Sequence, residues 1–253
     1  ALRACPYRFF ARSVLRLREA EELAAAVEKR DYGNWLHDVL DRFHRARTGD
    51  GDDAAALTAA ADQVTAESSL EAERLLPFRI GFEWFAPAYL AWLHEREARG
   101  LHWNEGEVER TREPAEIPGL QLHGRIDRID RSDGDGRIEL IDYKTGSATR
   151  LTAQVKQPLE DTQLAFYALL MAADRDTAAD FRALYLALDD RQAPKEIVHE
   201  AVADTARSML QGLAADWQRL RAGAGLPALG EGAVCETCEA RGLCRRDHWV
   251  DMA

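Results

Sequence analysis

The sequence predicts an α/β or α+β protein that folds as one domain over residues 1–253. Three observations predict this class: helical periodicity in the first half, strands and hairpin turns after Gly100, and a cysteine-rich tail. Hydrophobic residues make up 46% of the 253 positions, which is enough for a substantial core. We therefore expect a globular protein with a sheet covered by helices.

The first half is predicted to be largely helical. Candidate helices run over residues 12–30, 34–46, 54–75 and 81–99, and the second has the clearest pattern. Within it the apolar residues recur at helical spacing, namely Trp35, Leu36, Val39, Leu40 and Phe43. The segment 49–53, GDGDD, is predicted to be a loop between two helices.

The second half is predicted to contain the sheet. Strands are expected within residues 106–130 and 136–146, separated by the turn RSDGDG at 131–136. A helix is predicted over 161–174, two further strands over 181–190 and 195–202, and another helix over 204–221. The tail from 225 to 249 is rich in glycine and cysteine and is predicted to be a loop.

The charge of the chain limits how it could bind nucleic acid. The sequence has 33 basic and 44 acidic residues, a formal net charge of −11, so any contact with DNA must be local. No apolar run approaches the roughly 20 residues that cross a bilayer, and the amino terminus lacks the features of a signal peptide. These observations predict a cytoplasmic protein without a membrane partner.

The segment IELIDYKTG, residues 138–146, places two charges in an apparently buried strand. Alternate residues of a strand share a face, so Asp142 and Lys144 lie on one side together. Pairing across the hairpin could bring Asp127 beside Asp142, with Asp130 as a second candidate. Two carboxylates about 4 Å apart repel by roughly 4 kcal/mol at an effective dielectric near 20, and a divalent cation reverses that repulsion.

These acids are therefore predicted to bind magnesium or manganese, which would suit attack of water on a phosphodiester. The alternative is an ordinary ion pair between Asp142 and Lys144 at the end of a strand. Similarly, His37 beside Leu36 and Leu40 could be a residue at the edge of the core.

Four short segments together resemble the motifs of a known family. GNWLH at 33–37, GRIDRID at 124–130, IDYKTG at 141–146 and QLAFY at 163–167 are similar to the successive motifs of the PD-(D/E)XK nuclease superfamily, RecB-like branch. The resemblance implies a restriction-endonuclease-like core, a central mixed β-sheet flanked by helices.

The same resemblance implies roles for individual residues. His37, Asp127 and Asp142 would bind the metal, the carbonyl of Tyr143 would add a ligand, and Lys144 would act in catalysis. Gln163 and Tyr167 lie four residues apart and would share a helix face. They would line the active site and help to place DNA, or else pack the helix on the sheet.

The four cysteines indicate a second site. Cys235, Cys238 and Cys244 have the spacing C-x2-C-x5-C, and Cys5 lies at the other end of the chain. Four thiolates suit zinc or an iron-sulfur cluster. One cysteine before the nuclease motifs and three after them resembles AddB-type nucleases and the CRISPR adaptation nucleases, which implies a [4Fe-4S] cluster. Closing the chain from residue 5 to 235 would be worth roughly 5 kcal/mol.

A basic patch is predicted beside these cysteines. Arg8, Arg12 and Arg16 recur every four residues, and Arg245 and Arg246 follow the last cysteine. These arginines are predicted to bind DNA, and the alternative is an ordinary solvated surface.

The sequence thus predicts a metal-dependent DNA nuclease, an exonuclease acting on single-stranded ends. The resemblance implies a role in break repair and recombination beside a helicase domain or subunit. The position of Cys5 favours a fragment of a longer helicase-nuclease, and the chain has no G-x-x-x-x-G-K-[ST] motif for ATP. The alternatives are a free-standing single-strand exonuclease resembling the CRISPR adaptation nucleases and a catalytically silent DNA-binding module.

Overall fold

The computed structural model describes residues 2–3, 5–17, 29–49, 51–68, 72–157, 162–172, 181–188, 193–229, 235 and 238–245. Arg246 and most of the predicted helix over 12–30 lie outside these ranges. The chain divides into two compact units, a larger one formed by Ala26–Gln211 and a smaller one formed by Ala1–Ala25 and Gly212–Ala253.

The strands of the larger unit form one mixed sheet. They are β1 (Leu101–Arg112), β2 (Leu122–Ser132), β3 (Ile138–Lys144), β4 (Phe181–Ala187) and β5 (Lys195–Val198), in that spatial order. Pairing is antiparallel except between β3 and β4, which are parallel. The parallel pair needs a crossover, and the chain between those two strands supplies helices α5 (Ala148–Val155) and α6 (Gln163–Met171). The predicted α/β fold with a mixed sheet is confirmed.

Three long helices precede the sheet. They are α2 (Lys29–Ala46), α3 (Asp53–Glu67) and α4 (Ala72–Ala98), and α3 is capped by the Asp52 carboxylate, which accepts from the backbone N–H groups of Ala54 and Ala55. Helix α4 runs through Pro77 and Pro87, whereas the sequence predicted a later start at residue 81. Helix α5 was not predicted at all.

The core of the larger unit lies between these helices and one face of the sheet. The predicted apolar stripe of α2 is fully or almost fully buried, from Trp35 at 5% exposure to Phe43 at 0%. It packs with apolar and aromatic residues of α3, α4, β3 and β4, among them Leu57, Phe85, Tyr89, Tyr143 and Leu184. Burial of this stripe accounts for the position of α2 against the sheet.

The smaller unit contains short helices and the end of a long one. Helix α1 spans Pro6–Phe9, a π-helical turn spans Phe10–Val14, and α8 spans Arg241–Cys244. Helix α7 (Val202–Arg221) begins in the larger unit, and its residues from Gly212 onward belong to the smaller one. The backbone N–H of Tyr7 donates to the carbonyl of Pro227 at 3.2 Å. None of the helices in the described residues is long and apolar enough to span a lipid bilayer.

Gly124 begins the GRIDRID segment because helix α6 packs closely on β2 there. A Cβ atom at this position would lie 2.8 Å from Leu170 Cδ1 and 3.0 Å from Phe166 Cε1. We expect Gly124→Ala to lower the free energy of unfolding by about 1–3 kcal/mol, because overpacking forces these side chains to shift. Chemical denaturation measures the effect. The control is Gly134→Ala, in a turn with open space, which should change stability by less than about 0.5 kcal/mol. Equal stability of the two variants would contradict the packing argument.

Candidate metal centre

Three side chains from separate elements converge at one end of the sheet. Ligand atoms of His37 on α2, Glu107 on β1 and Asp127 on β2 all lie within 4.8 Å of one another. His37 Nδ1 is 3.1 Å from Glu107 Oε1 and 3.7 Å from Asp127 Oδ2. The two acids are largely buried, with side-chain exposures of 7% and 11%, and the imidazole is 24% exposed.

Glu107 is a member of this group that the sequence did not reveal. It lies between the paired residues Gly106–Arg128 and Val108–Ile126, so it faces Asp127 across the β1–β2 ladder. Its φ is +46°, an uncommon left-handed conformation for a residue with a side chain. Such conformations cost of the order of 1–3 kcal/mol and cluster at functional sites. Nothing in the segment GEVER separates Glu107 from its neighbours Glu105 and Glu109, so no sequence signal could have identified it.

Strand β3 contributes Asp142 and Lys144 on one face, as predicted. Asp142 is fully buried, and the Lys144 ammonium forms an ion pair with its Oδ2. The ammonium also lies 5.5 Å from the centre of the Tyr185 ring, a cation–π distance. The predicted hairpin register is confirmed, because the pair Arg128–Ile141 leaves Asp127 next to Asp142.

The backbone of Tyr143 joins these groups. Its N–H donates to Asp127 Oδ2 at 2.9 Å, and its carbonyl accepts from His37 Nε2 at 3.3 Å. A carbonyl that faces the imidazole in this way could serve as an oxygen ligand beside the acids. Asp130, the alternative acid from the sequence, points to the opposite face of β2 and contacts Arg96 and Arg128 instead.

Helix α6 places Gln163 and Tyr167 against both aspartates. The Tyr167 hydroxyl lies 3.2 Å from Asp127 Oδ1 and 3.0 Å from Asp142 Oδ1. The Gln163 amide donates to Asp142 and lies 3.4 Å from the Tyr167 hydroxyl. The two side chains therefore share a helix face that lines the site.

Without a cation the carboxylates destabilise one another. Burial and the charge of Asp142 raise the pKa of Asp127 to about 7. Burial also raises the pKa of Asp142, although the Lys144 ammonium opposes this. Burial lowers the pKa of His37, but the hydrogen bond that its ring donates to the Glu107 carboxylate and the charges of the nearby carboxylates outweigh burial, so that this pKa is raised.

The hydrogen bonds of His37 agree with that direction. Both ring nitrogens face acceptors, the Glu107 carboxylate and the Tyr143 carbonyl, so the ring must carry a proton on each. The geometry and the raised pKa values thus favour protons on His37 and Asp127, which a bound divalent cation would displace. The donor set of carboxylates, one imidazole and one carbonyl suits magnesium or manganese.

The four cysteines come together in the smaller unit. Cys5, Cys235, Cys238 and Cys244 line one cavity, together with Tyr7, Arg8, Ala240 and Arg241. Cys5 and Cys235 are buried, and the Cys244 thiol donates weakly to the carbonyl of Arg241 at 3.5 Å. The structure therefore places the amino-terminal cysteine beside the three from the tail.

The predicted arginine patch does not form one helix face. Helix α1 ends at Phe9 and the π-helical turn that follows ends at Val14, so Arg16 lies beyond the helical segment that carries Arg8 and Arg12. Arg8 lines the cysteine cavity, Arg12 pairs with Glu239 at 3.1 Å, and Arg16 is exposed beyond the helix with a φ of +56°. Arg245 is exposed after α8, and Arg246 lies outside the described residues.

Comparisons with known proteins agree with this architecture. A family profile described as the PD-(D/E)XK nuclease superfamily matches residues 1–245. A crystal structure from Eubacterium rectale named "Putative exonuclease" aligns with a TM-score of 0.53 and 14% identity, covering 98% of this chain and 83% of that one. The crystal structure of SSO0001 aligns with a TM-score of 0.33 and 18% identity over 94% of each chain. No curated protein gives a significant match.

The raised pKa of Asp127 predicts how the stability of the metal-free protein depends on pH. A folded-state pKa of about 7, above the usual 3.8, means that stability is present at low pH and is lost as the pH rises through 7. Asp127→Asn should therefore raise the free energy of unfolding at pH 8, by at most about 4 kcal/mol, and change it much less at pH 5.

Urea denaturation in the presence of a chelator measures this difference. Asn can keep both local contacts, with its oxygen accepting from the Tyr143 N–H and its amide donating to the Tyr167 hydroxyl. Asp133→Asn, which removes an exposed carboxylate of the β2–β3 turn, serves as the control. A variant at position 127 that is no more stable than wild type at pH 8 would contradict the prediction.

Proposed function

The chain belongs to the PD-(D/E)XK nuclease superfamily, and on this premise we propose that it is a deoxyribonuclease that needs Mg²⁺ or Mn²⁺ and degrades DNA from its ends. The observation that carries the proposal is the convergence of His37, Glu107, Asp127 and Asp142 beside the Lys144 ammonium. Burial raises the pKa of both aspartates and the charge of Asp142 raises that of Asp127 further, so that a cation would stabilise the pair, and this superfamily hydrolyses phosphodiester bonds.

The residues that would hold the metal are Asp127 and Asp142, with His37, Glu107 and the Tyr143 carbonyl around them. A bound divalent ion supplies Lewis acidity towards a phosphate oxygen and lowers the pKa of water. The protein itself contributes a fixed arrangement of acceptors that requires no reorganisation during the reaction.

Lys144 places a cationic group directly beside the proposed metal ligands. Its side chain is 32% exposed, and the Asp142 carboxylate and the Tyr185 ring hold its ammonium in place. An ammonium fixed in this way can orient a water molecule or stabilise negative charge on the phosphate oxygens. The ion pair with Asp142 is therefore compatible with a catalytic role.

Tyr167 and Gln163 would act as neutral donors at the floor of the site. Burial raises the pKa of Tyr167, and the charges of Asp142 and Asp127 raise it further, so the hydroxyl stays protonated at neutral pH. It can then donate to either aspartate. These donors would fix the orientation of the two carboxylates as the pair becomes fully ionised.

Contact with DNA would be local, since the net charge of −11 repels a polyanion. Among the predicted arginines in the described residues, Arg16 and Arg245 remain exposed and are proposed to contact the DNA backbone. The name of the Eubacterium rectale protein favours exonuclease action. The cysteine arrangement favours work beside a helicase in break repair, with a free-standing single-strand exonuclease as the second candidate.

A cleavage assay tests the proposed activity. Labelled single-stranded, linear duplex and circular DNA are incubated with Mg²⁺ or Mn²⁺ under anaerobic conditions. We expect linear DNA to be degraded and circular DNA to resist, and Asp142→Asn to abolish cleavage. Glu107→Gln should reduce it by about 10- to 100-fold, because a carboxylate next to the metal ligands is lost.

Glu109→Gln is the matched control on the same strand, because its side chain is 72% exposed. It should cut DNA like wild type. If freshly purified wild-type protein cleaves none of these substrates with either metal, the nuclease proposal is wrong and the chain is better described as a catalytically silent DNA-binding module. Cleavage of circular DNA would replace the exonuclease with an endonuclease.

We further propose that the four cysteines hold a [4Fe-4S] cluster. Within the described residues the Arg8 guanidinium has no hydrogen-bond or ion-pair partner, and its Nε is buried at the cysteine cavity. A buried cation needs a compensating anion. Four thiolates around a cluster would supply that negative charge.

The separations of the sulfur atoms bear on the choice between zinc and the cluster. In the part of the chain that the structure describes, no three of these sulfurs lie within 4.8 Å of one another. A tetrahedral zinc site with bonds near 2.3 Å would need separations of about 3.8 Å. The described sulfurs are therefore not at the separations of a closed zinc site, and the order of the cysteines along the chain is the feature that supports the cluster.

Anaerobically purified protein should therefore be brown, absorb near about 400 nm and contain about four irons per chain. Arg8→Gln should lose this absorbance in air severalfold faster than wild type, because the cation beside the cluster is gone. Arg12→Gln is the matched control, since Arg12 is partnered by Glu239. Colourless protein with one zinc per chain would contradict the iron-sulfur assignment. If the absorbance of the two variants decayed at the same rate in air, the proposed role of Arg8 would be wrong.

A further inference from the structure

A buried polar network lies on the face of β2 and β3 opposite the carboxylates. Neighbouring strand residues alternate between the faces, so Asp127 and Asp142 face α6, while Arg128 and Tyr143 face α2 and α4. Arg128 is fully buried, although an arginine is rarely buried without a specific partner.

One side of the Arg128 guanidinium forms a bidentate ion pair with Asp130. Its Nε and Nη2 atoms donate to the two oxygens of Asp130 at 2.7 and 3.0 Å. Asp130 in turn accepts from Arg96 Nε at 2.6 Å, and both guanidinium groups lie over the ring of Trp92. This paired, stacked arrangement fixes the orientation of Arg128.

The other side of the guanidinium reaches three residues from three elements. Nη1 donates to the Tyr89 hydroxyl on α4 and to His44 Nε2 on α2, both at 2.9 Å, and lies 3.5 Å from the Tyr143 hydroxyl on β3. A guanidinium can only donate, so His44 Nε2 accepts and the ring is neutral. Burial and the charge of Arg128 lower the pKa of His44 in agreement with this.

Both ends of this network reach the candidate metal centre. His44 and His37 are seven residues apart on α2, almost two full turns, so they share a helix face. The contact between Arg128 and His44 therefore fixes the rotation of α2 about its axis and its position along that axis, and with them the position of His37. Tyr143 is the residue whose N–H contacts Asp127 and whose carbonyl contacts His37. Its ring also meets the His37 ring edge-on, with centroids 5.4 Å apart.

We propose that Arg128, His44, Tyr89 and the Tyr143 hydroxyl form a positioning network that holds His37 against the Tyr143 carbonyl and so pre-organises the metal site. The proposal rests on the proposed metal dependence for its functional meaning. These residues are positioning residues, because none of their side chains reaches the space between the carboxylates. Groups that orient ligands from behind typically change metal affinity by about 10- to 100-fold.

The most conservative test is Tyr143→Phe, which keeps the ring and the backbone and removes only the hydroxyl. We expect the dissociation constant for Mn²⁺ alone, measured by calorimetry at fixed pH, to rise roughly 10-fold. The backbone N–H of residue 143 should exchange with deuterium severalfold faster in the metal-free protein. In nuclease assays KM for Mn²⁺ should rise while kcat at saturating metal changes little.

The matched control is Thr65→Val. It removes the hydrogen bond from Trp35 Nε1 to Thr65 Oγ1, which joins α2 to α3 at 3.2 Å without involving β3. It should lower the melting temperature about as much as Tyr143→Phe and leave both Mn²⁺ affinity and exchange at residue 143 unchanged. Tyr89→Phe provides a second network variant, and its effect should resemble that of Tyr143→Phe.

The two readouts separate this proposal from the proposed function. Wild-type affinity and wild-type exchange in both network variants would overturn the positioning role, even if the protein cleaves DNA. If wild type binds no Mn²⁺ but the network variants still exchange faster at residue 143, the metal-dependent function is wrong and the positioning of the Tyr143 peptide stands. If Thr65→Val and Tyr143→Phe lost Mn²⁺ affinity to the same extent, the network would contribute only to the general stability of the fold and would not position the site.

Discussion

The repulsion between Asp127 and Asp142 is the constraint around which the larger unit is built. Both carboxylates are buried at adjacent positions of neighbouring strands, where each raises the free energy of the other's ionised form. A fold tolerates this unfavourable free energy only if other interactions stabilise the carboxylates. Here the gains are the Tyr143 N–H, the Tyr167 hydroxyl and the Lys144 ammonium, each of which stabilises a carboxylate oxygen, and the ammonium also compensates the charge of Asp142.

The opposite face of the same two strands shows the contrasting solution. Arg128, Arg96, Asp130 and Glu139 are also buried and charged, yet each one has an oppositely charged partner. Because these charges are compensated, this face serves as a rigid support. On the acidic face Asp142 is paired with Lys144, but burial and the charge of Asp142 still raise the pKa of Asp127, and a bound cation would compensate that repulsion. One pair of strands therefore combines a structural ionic network with a reactive one, separated by the thickness of the sheet.

The sequence predicted the parts of the site that depend on periodicity. Asp142 and Lys144 share a face because side chains alternate along a strand, and Asp127 lies beside Asp142 because a short turn fixes the hairpin register. The core stripe of α2 followed from helical spacing in the same way. The mixed sheet and the converging helices were implied by the resemblance, since no local pattern shows which strands pair or how a crossover returns.

The misses have specific physical causes. Glu107 was missed because its role depends on a left-handed backbone conformation that one glutamate among three does not signal. The predicted arginine face was wrong because the helical segment ends at Val14, before Arg16, whose φ of +56° takes it out of the helix. Arg128 was overlooked because a basic residue within an acidic motif suggests solvent or substrate, whereas burial depends on tertiary partners such as Asp130 and Tyr89. The first two misses thus concern local backbone conformation, and the third concerns long-range packing.

The protonation that favours folding and the ionisation that metal binding would require are opposed in this arrangement. The raised pKa values of His37 and Asp127 mean that folding favours their protonated forms, whereas metal binding would favour the deprotonated ones. Any ion that binds the folded chain selectively therefore adds its binding free energy to stability. The buried network behind Tyr143 keeps the ligands from relaxing apart in the meantime. A looser sheet would relieve the repulsion and would lose the affinity for the cation with it.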